Sequence, residues 1–513
     1  MIENTSFAPP ASFLKSPSIA HLAIAMACVW WALPCSVLQA AGRPNVLWIC
    51  ADDHAAYVCG ADGNQQVRTP RLDNLATAGM RFSRAYCNAP VCTASRQSFL
   101  TGRYPHSVGV TLLKTPLAES ETTLAEMLNE ASYRTTAIGK MHFNSPLKHG
   151  FDHLIDLPDH KRTIATRQPE PLPAGIDVLP EWRPFRDPAR IWLNGFCRPY
   201  GATDADMAGT FFAAEAGRQL CAAGDEPFLL MVSFYEPHSP FHFPIEFRGR
   251  HDPAQFAVPE LCPDDEGQIP ACFRGLSREE KQGIIAAYYT SVEFLDKNVG
   301  RVLDELAKSG HADDTLVIYT GDHGYMLGQH GRFEKHCCFE PAVRAPLVMR
   351  LPGRVRAGIT SPALVELIDI VPTVLELCGV SVPKAVQGRS LVKVLDGGTE
   401  VHRDCVFVEY AENEEAMIRT DHWKLIYSTG RRERQDGYTT GRPLPGKTVL
   451  LFDVEADPDE TTNLAARPEH AALVDELTTR LADHMRGIMR GPDEIPAGAT
   501  ADQILEKCLP PTE

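Results

Sequence analysis

The chain has 513 residues, a formal charge of −16 and fifteen cysteines spread thinly along it. The length allows a large domain plus a smaller one, and the absence of any lysine- or arginine-rich block argues against nucleic acid as a partner. The negative balance also repels anionic substrates, so an anion site has to be built locally from a few cations.

Lys15 precedes an apolar run over 19–33, and Ala40-Ala41 offers small residues for cleavage. Residues 1–40 therefore read as a signal peptide, with the mature protein secreted or periplasmic; an uncleaved amphipathic anchor is the alternative. The run falls short of the ~20 apolar residues of a membrane span, and no later segment is long and apolar enough, so no stable membrane span is expected. One or two disulfides are expected after export, with unreadable connectivity.

Beyond residue 41, short apolar runs alternate with helical patterns, which predicts an α/β fold: a mostly parallel sheet sandwiched by helices. Strand 45–50 leads to helices at 72–80 and 122–131. Strand 135–138, helix 205–223 and strand 228–234 follow, the last an unbroken apolar run expected to be buried on both faces. Ser277 with Glu280 three residues on starts a capped helix that should run to 308, before Gly310. Strands 315–319 and 347–349 and helix 372–377 complete a catalytic domain assigned to 41–390. Stretches 157–199 and 237–270, rich in proline, read as long loops. Strand-like runs at 406–408, 423–427 and 450–453, then helix 470–485, make a small C-terminal α+β subdomain over 391–490. An irregular tail, 491–513, holds one short helical pattern near 501–507.

Ligands of open α/β sheets bind beyond the carboxyl ends of the strands, and four expected strands deliver reactive residues there. Strand 45–50 leads to Asp52-Asp53-His54, strand 135–138 to Lys140-Met141-His142, strand 228–234 to Glu236-Pro237-His238, and strand 315–319 to Asp322-His323-Gly324. Unpaired, the adjacent Asp52 and Asp53 would repel, and a hard divalent cation resolves this. Asp322 adds a third carboxylate, and such oxygen-rich sites suit Ca²⁺ or Mg²⁺. Zinc is the lesser rival: His54, His323 and His330 lie nearby, but no HxxxH spacing is present. Arg96, Lys140 and Lys335 sit in motifs rather than charge runs and can surround a tetrahedral anion. His142 and His238 are candidates for proton transfer near neutral pH.

Between these strands lies Cys92-Thr93-Ala94-Ser95-Arg96, followed by Leu100-Thr101-Gly102-Arg103. Taken alone, it also fits a buried structural thiol beside an arginine. With the four strand ends, and with Thr69-Pro70-Arg71-Leu72-Asp73, Asp296-Lys297-Asn298-Val299-Gly300 and Leu451-Phe452-Asp453, the chain resembles the type I sulfatases of the alkaline phosphatase superfamily from Arg43 to Ala465. Ala94 stands where many members have proline, and Met141 where tryptophan is frequent.

The resemblance implies a large α/β domain around a mixed sheet, with an antiparallel sheet in the C-terminal subdomain. It implies that a formylglycine-generating enzyme converts Cys92 to 3-oxoalanine (formylglycine), whose hydrate attacks sulfur. It further implies one Ca²⁺ held by Asp52, Asp53, Asp322, His323 and the modified Cys92. Arg96 would hold the aldehyde hydrate, Lys140 and Lys335 the sulfuryl oxygens, His238 would protonate the leaving alcohol and His142 would help regenerate the carbonyl. The expected partner is a sulfated small molecule or carbohydrate, with Trp182, Trp192, Arg198 and Tyr200 either lining a sugar subsite or packing their loop. Two alternatives remain at this level: a phosphonate or phosphate diester hydrolase of the same superfamily, and an inactive homologue that captures sulfated glycans.

Overall fold

The computed structural model describes residues 42–167, 171–180, 193–490 and 495–512. The signal expected over 1–40, and Trp182 and Trp192, lie outside the described residues. The described residues from Arg43 onward belong to one compact unit.

Eight strands form the main sheet: β1 (Asn45–Ala51), β2 (Met80–Tyr86), β3 (Arg134–Gly139), β4 (His153–Ile155), β5 (Phe228–Ser233), β6 (Thr315–Gly321), β7 (Leu347–Arg350) and β8 (Ile359–Glu366). Their order is β4-β3-β5-β1-β6-β7-β2-β8. Only β7 runs against the rest, pairing antiparallel with β6 and β2. The central strand β1 pairs in parallel with β5 and β6, Val46 opposite Leu229 on one side and Leu316 on the other.

Period-two alternation explains why β1 is apolar from Val46 to Ala51. Val46, Trp48 and Cys50 enter a core containing Phe82, Phe99 and Leu124, whereas Leu47, Ile49 and Ala51 enter a second with Phe212, Leu295 and Val302. Helices thus cover both faces, as expected. The longest, Arg278–Ser309, begins with the capping box: Glu280 N donates to Ser277 Oγ at 3.1 Å, and Ser277 N to Glu280 Oε2 at 2.8 Å. Gly310, at φ 84°, ends it in the left-handed conformation that glycine adopts without steric cost.

A second, antiparallel sheet near the C-terminus holds β9 (Val406–Tyr410), β10 (Glu415–Arg419), β11 (Trp423–Ser428) and β12 (Thr448–Asp453), ordered β12-β11-β10-β9. Helices Ala471–Ile488 and Ala501–Cys508 bury Leu477, Leu481, Ile504 and Leu505 against its Ile418, Leu425 and Tyr427.

Several local expectations need correction. The stretch 157–199 begins as a helix, Leu157–Ala165, with both partners of a capping box present at Asp156. The first helix is Pro70–Ala78, and Met80 already belongs to β2. Strands β2, β4, β8 and β10 were not anticipated. β8 carries Pro362, which a sheet accepts on an edge strand, and β8 is an edge; β4 has three residues on the other edge. Every cysteine among the described residues is free, in place of the expected disulfides.

Candidate active site

Cys92 is the first residue of the helix Cys92–Thr101 and is buried. Arg96, four residues on, lies on the same helical face. The loops leaving β1, β3, β5 and β6 meet this helix at one end of the sheet, and all four predicted strand ends converge on the thiol.

Arg96 is fully buried. Its Nε donates to Asp322 Oδ2 at 2.9 Å and its Nη2 to Asp52 Oδ1 at 3.3 Å. Its Nη1 donates to the Lys140 carbonyl at 2.6 Å and to Ser233 Oγ at 2.7 Å. One planar fork therefore ties β1, β3, β5 and β6 together beneath the site, which a lysine's single ammonium could not do. Ser233 was missed from sequence. The clue was its place as the polar last residue of an otherwise apolar strand.

Lys335 Nζ donates to both oxygens of Asp53, at 2.6 and 2.8 Å, and lies 3.4 Å from Cys92 Sγ. Lys140 Nζ donates to Asp52 Oδ2. His323 Nδ1 donates to the Gly324 carbonyl at 2.9 Å, which aims Nε2 at Cys92 Sγ, 3.4 Å away. His238 Nδ1 donates likewise to the Ser239 carbonyl at 2.8 Å, leaving Nε2 4.0 Å from Asp53 Oδ2. His142 lines the same cavity as Cys92, and Gln97 Nε2 donates to its carbonyl at 2.8 Å. Tyr288, also unforeseen, donates to the Asp53 carbonyl and accepts from Ala55 N at 2.8 Å.

The electrostatics are strongly coupled. Burial would push the Cys92 thiol up, but Lys140, Lys335 and His323 outweigh it and hold its pKa well below the ordinary value. Burial likewise opposes ionisation of Asp52, yet Lys140, His238 and Arg96 keep it below the usual carboxylate range. Asp322 goes the other way: burial, helped by Asp52 and Cys92, pushes it up to about 7 despite Arg96 and His323. Asp322 is thus the carboxylate of the cluster whose ionisation burial opposes most effectively.

The clustering of donor atoms is the test of whether a divalent cation fits. Ligand atoms of Asp52, Cys92, Asp322 and His323 lie within 4.8 Å of one another, as do those of Asp52, Asp53, Cys92 and His238. Three carboxylates suit a hard cation. His323 aims Nε2 into the cluster; burial opposes its protonation, but Asp322 and Cys92 raise its pKa to about 9, and a cation bound there would take the place of that proton. The zinc alternative loses its other histidines: His54 is tied to Tyr319 and Val58, and His330 stacks on Phe339 and bonds Asp265 at 2.7 Å.

Above Cys92 opens a cavity of about 920 Å³ lined by Lys140, His142, Tyr235, His238 and Lys335 at its base and by Tyr410, Arg432 and Tyr438 farther out. Tyr200 lines a neighbouring cavity that also borders His238. Arg198 instead pairs with Asp177 at 2.7 Å and covers Phe196.

The sulfatase family model matches residues 44–380, about two thirds of the chain. This chain belongs to the sulfatase family. A second model, N-sulphoglucosamine sulphohydrolase, C-terminal, matches 328–487. Among curated relatives, an arylsulfatase of Clostridium perfringens is 27% identical over 488 residues, covering 88% of this chain and 96% of the relative. An N-acetylglucosamine-6-O-sulfatase of Bacteroides thetaiotaomicron is 25% identical over 500 residues, covering 86% of each. Among solved structures, a phosphonate monoester hydrolase of Agrobacterium radiobacter superposes with TM-score 0.74 at 25% identity, covering 88% of this chain and 97% of that one. A complex with D-glucosamine-2-N,6-O-disulfate gives 0.69 at 23% identity, covering 87% and 98%, a likeness of fold. Its family and its relatives make the chain a sulfuric ester hydrolase.

Proposed function

We propose that this sulfatase acts outside the cytoplasm on sulfated carbohydrate, after a formylglycine-generating enzyme has converted Cys92 to formylglycine. The observation that carries the reading is the meeting of Cys92 with three carboxylates, two lysines and two histidines at the floor of one cavity. The carbohydrate sulfatases among its relatives support the substrate class.

Asp52, Asp53, Asp322 and His323, with the side chain at position 92, would hold one Ca²⁺. Bound there, the cation supplies positive charge that lowers the pKa of an oxygen ligand near neutral pH. The modified side chain, as its hydrate, supplies an oxygen nucleophile that a thiol or a serine could not regenerate. The remaining roles belong to residues in place. Arg96 fixes Asp52 and Asp322 and so fixes the floor. Lys140 and Lys335 present ammonium groups where the non-bridging oxygens of a sulfate ester would lie, with charge-assisted bonds that strengthen as charge develops. Burial opposes protonation of His238, but Asp53 and Asp52 raise its pKa above the ordinary value. With Nδ1–H held by Ser239, the protonated ring offers Nε2–H to the leaving alcohol. His142, at the edge of Cys92, is placed to accept a proton there.

Two measurements test this. The peptide containing Cys92 from protein matured in a competent host should show a mass loss of about 18 Da, thiol to aldehyde. The same protein should release sulfate from an aryl sulfate, and Cys92→Ala should abolish the release. Full activity in that variant would end the proposal. The phosphonate hydrolase neighbour favours one second reading, hydrolysis of phosphonate or phosphate diesters. An aryl phosphodiester turned over faster than the aryl sulfate would establish it.

A further inference from the structure

With a sulfate ester seated at Cys92, its alcohol portion has to fill the outer cavity, whose wall comes from the C-terminal sheet and the loop after β11. Tyr410, Glu412, Arg432, Gln435, Asp436 and Tyr438 form this wall. Two arginines on that loop, two residues apart, differ sharply in their bonding. Arg434 is clamped: its Nε and Nη2 donate to Asp436 at 3.1 and 2.7 Å, and its guanidinium lies over the Tyr410 ring. Asp436 in turn accepts from Tyr410 Oη and Tyr438 N. This pair is structural.

Arg432 is not saturated. Its Nε is enclosed, and no acceptor among the described residues reaches it. Its one ion pair among them, Nη2 to Glu412, spans 3.5 Å, and that carboxylate already accepts from Gln435 N. An enclosed N–H without a partner is costly, so such donors are rarely left without a purpose. The guanidinium borders the catalytic cavity on one side and a second cavity of about 900 Å³ on the other. The other cations of the catalytic cavity do not duplicate it: Lys140 and Lys335 are committed at the floor, and Lys114 is exposed. In a chain of charge −16, one planar fork at this position is a local device for choosing anions.

We propose that Arg432 binds a second anionic group, a carboxylate or another sulfate, on the alcohol portion of the substrate. It thereby sets a preference for multiply charged sulfate esters over singly charged ones. This rests on the sulfatase reading of the Cys92 site.

The experiment compares a monosulfated disaccharide, its disulfated counterpart and a monosulfated disaccharide bearing a uronate. Binding is measured by calorimetry on full-length Cys92→Ala protein with Arg432 intact, or replaced by Ala, Gln or Lys, each checked for folding by circular dichroism. Selectivity in kcat/KM is measured in parallel on the modified enzyme. With Arg432 intact, at least one doubly anionic ligand should bind about ten-fold tighter than the monosulfated one, a difference of about 1.4 kcal/mol. Arg432→Ala and Arg432→Gln should erase that ratio through KM rather than kcat, and Arg432→Lys should restore part of it. Whether the disulfated or the uronate ligand gains identifies the anion. Equal binding of all three ligands to protein with Arg432 intact, or an equal loss for all three on replacement, overturns the proposal. Binding is read on catalytically silent protein, so absence of sulfate release counts against the hydrolase reading and not against the subsite.

Discussion

Replacing Arg96 with alanine removes the fork beneath the site, and the structure gives the size of the loss. Four acceptors lose a donor: Asp322, Asp52, the Lys140 carbonyl and Ser233 Oγ. Asp52 keeps Lys140, whereas Asp322 keeps His323 as its one ion-pair partner, 3.6 Å away, and two backbone donors, Asp53 N and His323 N, both at 3.0 Å. Breaking a buried pair from one side costs about 3–5 kcal/mol, because the surviving charge is left uncompensated. Asp322 can escape part of this by taking up a proton, since its pKa is already pushed up to about 7 by burial and its acidic neighbours. The expected loss is therefore near the lower bound, about 3 kcal/mol, or roughly 3 °C in Tm for a domain of this size. Thermal and urea unfolding of Arg96→Ala in a chelating buffer measure it, and activity should fall with it by about two orders of magnitude or more. Arg96→Lys should recover little of either, having one donor centre for four acceptors. A loss below about 1 kcal/mol, with activity near that of the parent, would refute the claim that Arg96 organises the four strand ends.

Removing divalent cations with a chelator should lower both activity and Tm, and Ca²⁺ should restore them; ligand at a hundred times its Kd adds about 2.7 kcal/mol to stability, so an unmoved Tm argues against a resident cation. Burial pushes Glu236 up to about 7, so the folded chain holds a proton there that an unfolded glutamate releases near its ordinary value of 4.5. Stability therefore falls as pH rises through that window, by up to about 3 kcal/mol above pH 7; Glu236→Gln should raise Tm at pH 8 relative to the parent and give no gain at pH 4. Gly139 sits at φ 86° directly before Lys140, and a Cβ there would lie 1.9 Å from the Ser233 carbonyl oxygen. Gly139→Ala should destabilise the chain by about 2 kcal/mol or more and lower kcat by displacing Lys140, both read from unfolding curves and turnover; unchanged values would mean that β3 and β5 can separate there at little cost.

The sequence by itself determined the architecture and the chemical inventory. An unbroken, short apolar run such as 228–234 reads as a strand covered on both faces, and the Ser277–Glu280 pair marks a helix start through local bonding alone. Polar residues after four such strands named Asp52, Asp53, Lys140, His142, His238, Asp322 and His323, because parallel strands deliver their carboxyl ends to one side. Elements held by tertiary context stayed hidden. Three-residue β4 and Pro362-bearing β8 are strands because an edge accepts them, and nothing in their own residues demands it. The tertiary structure alone decided which charge answers which: Arg96 reaching across four strands to Ser233, Asp322 held between Arg96 and His323, and Arg432 left with an unbonded Nε–H near an Arg434 that is clamped on Asp436. Periodicity and capping act over a few residues and are written in the chain, whereas the partner of a buried charge is set by which distant segments the packing brings within about 3 Å.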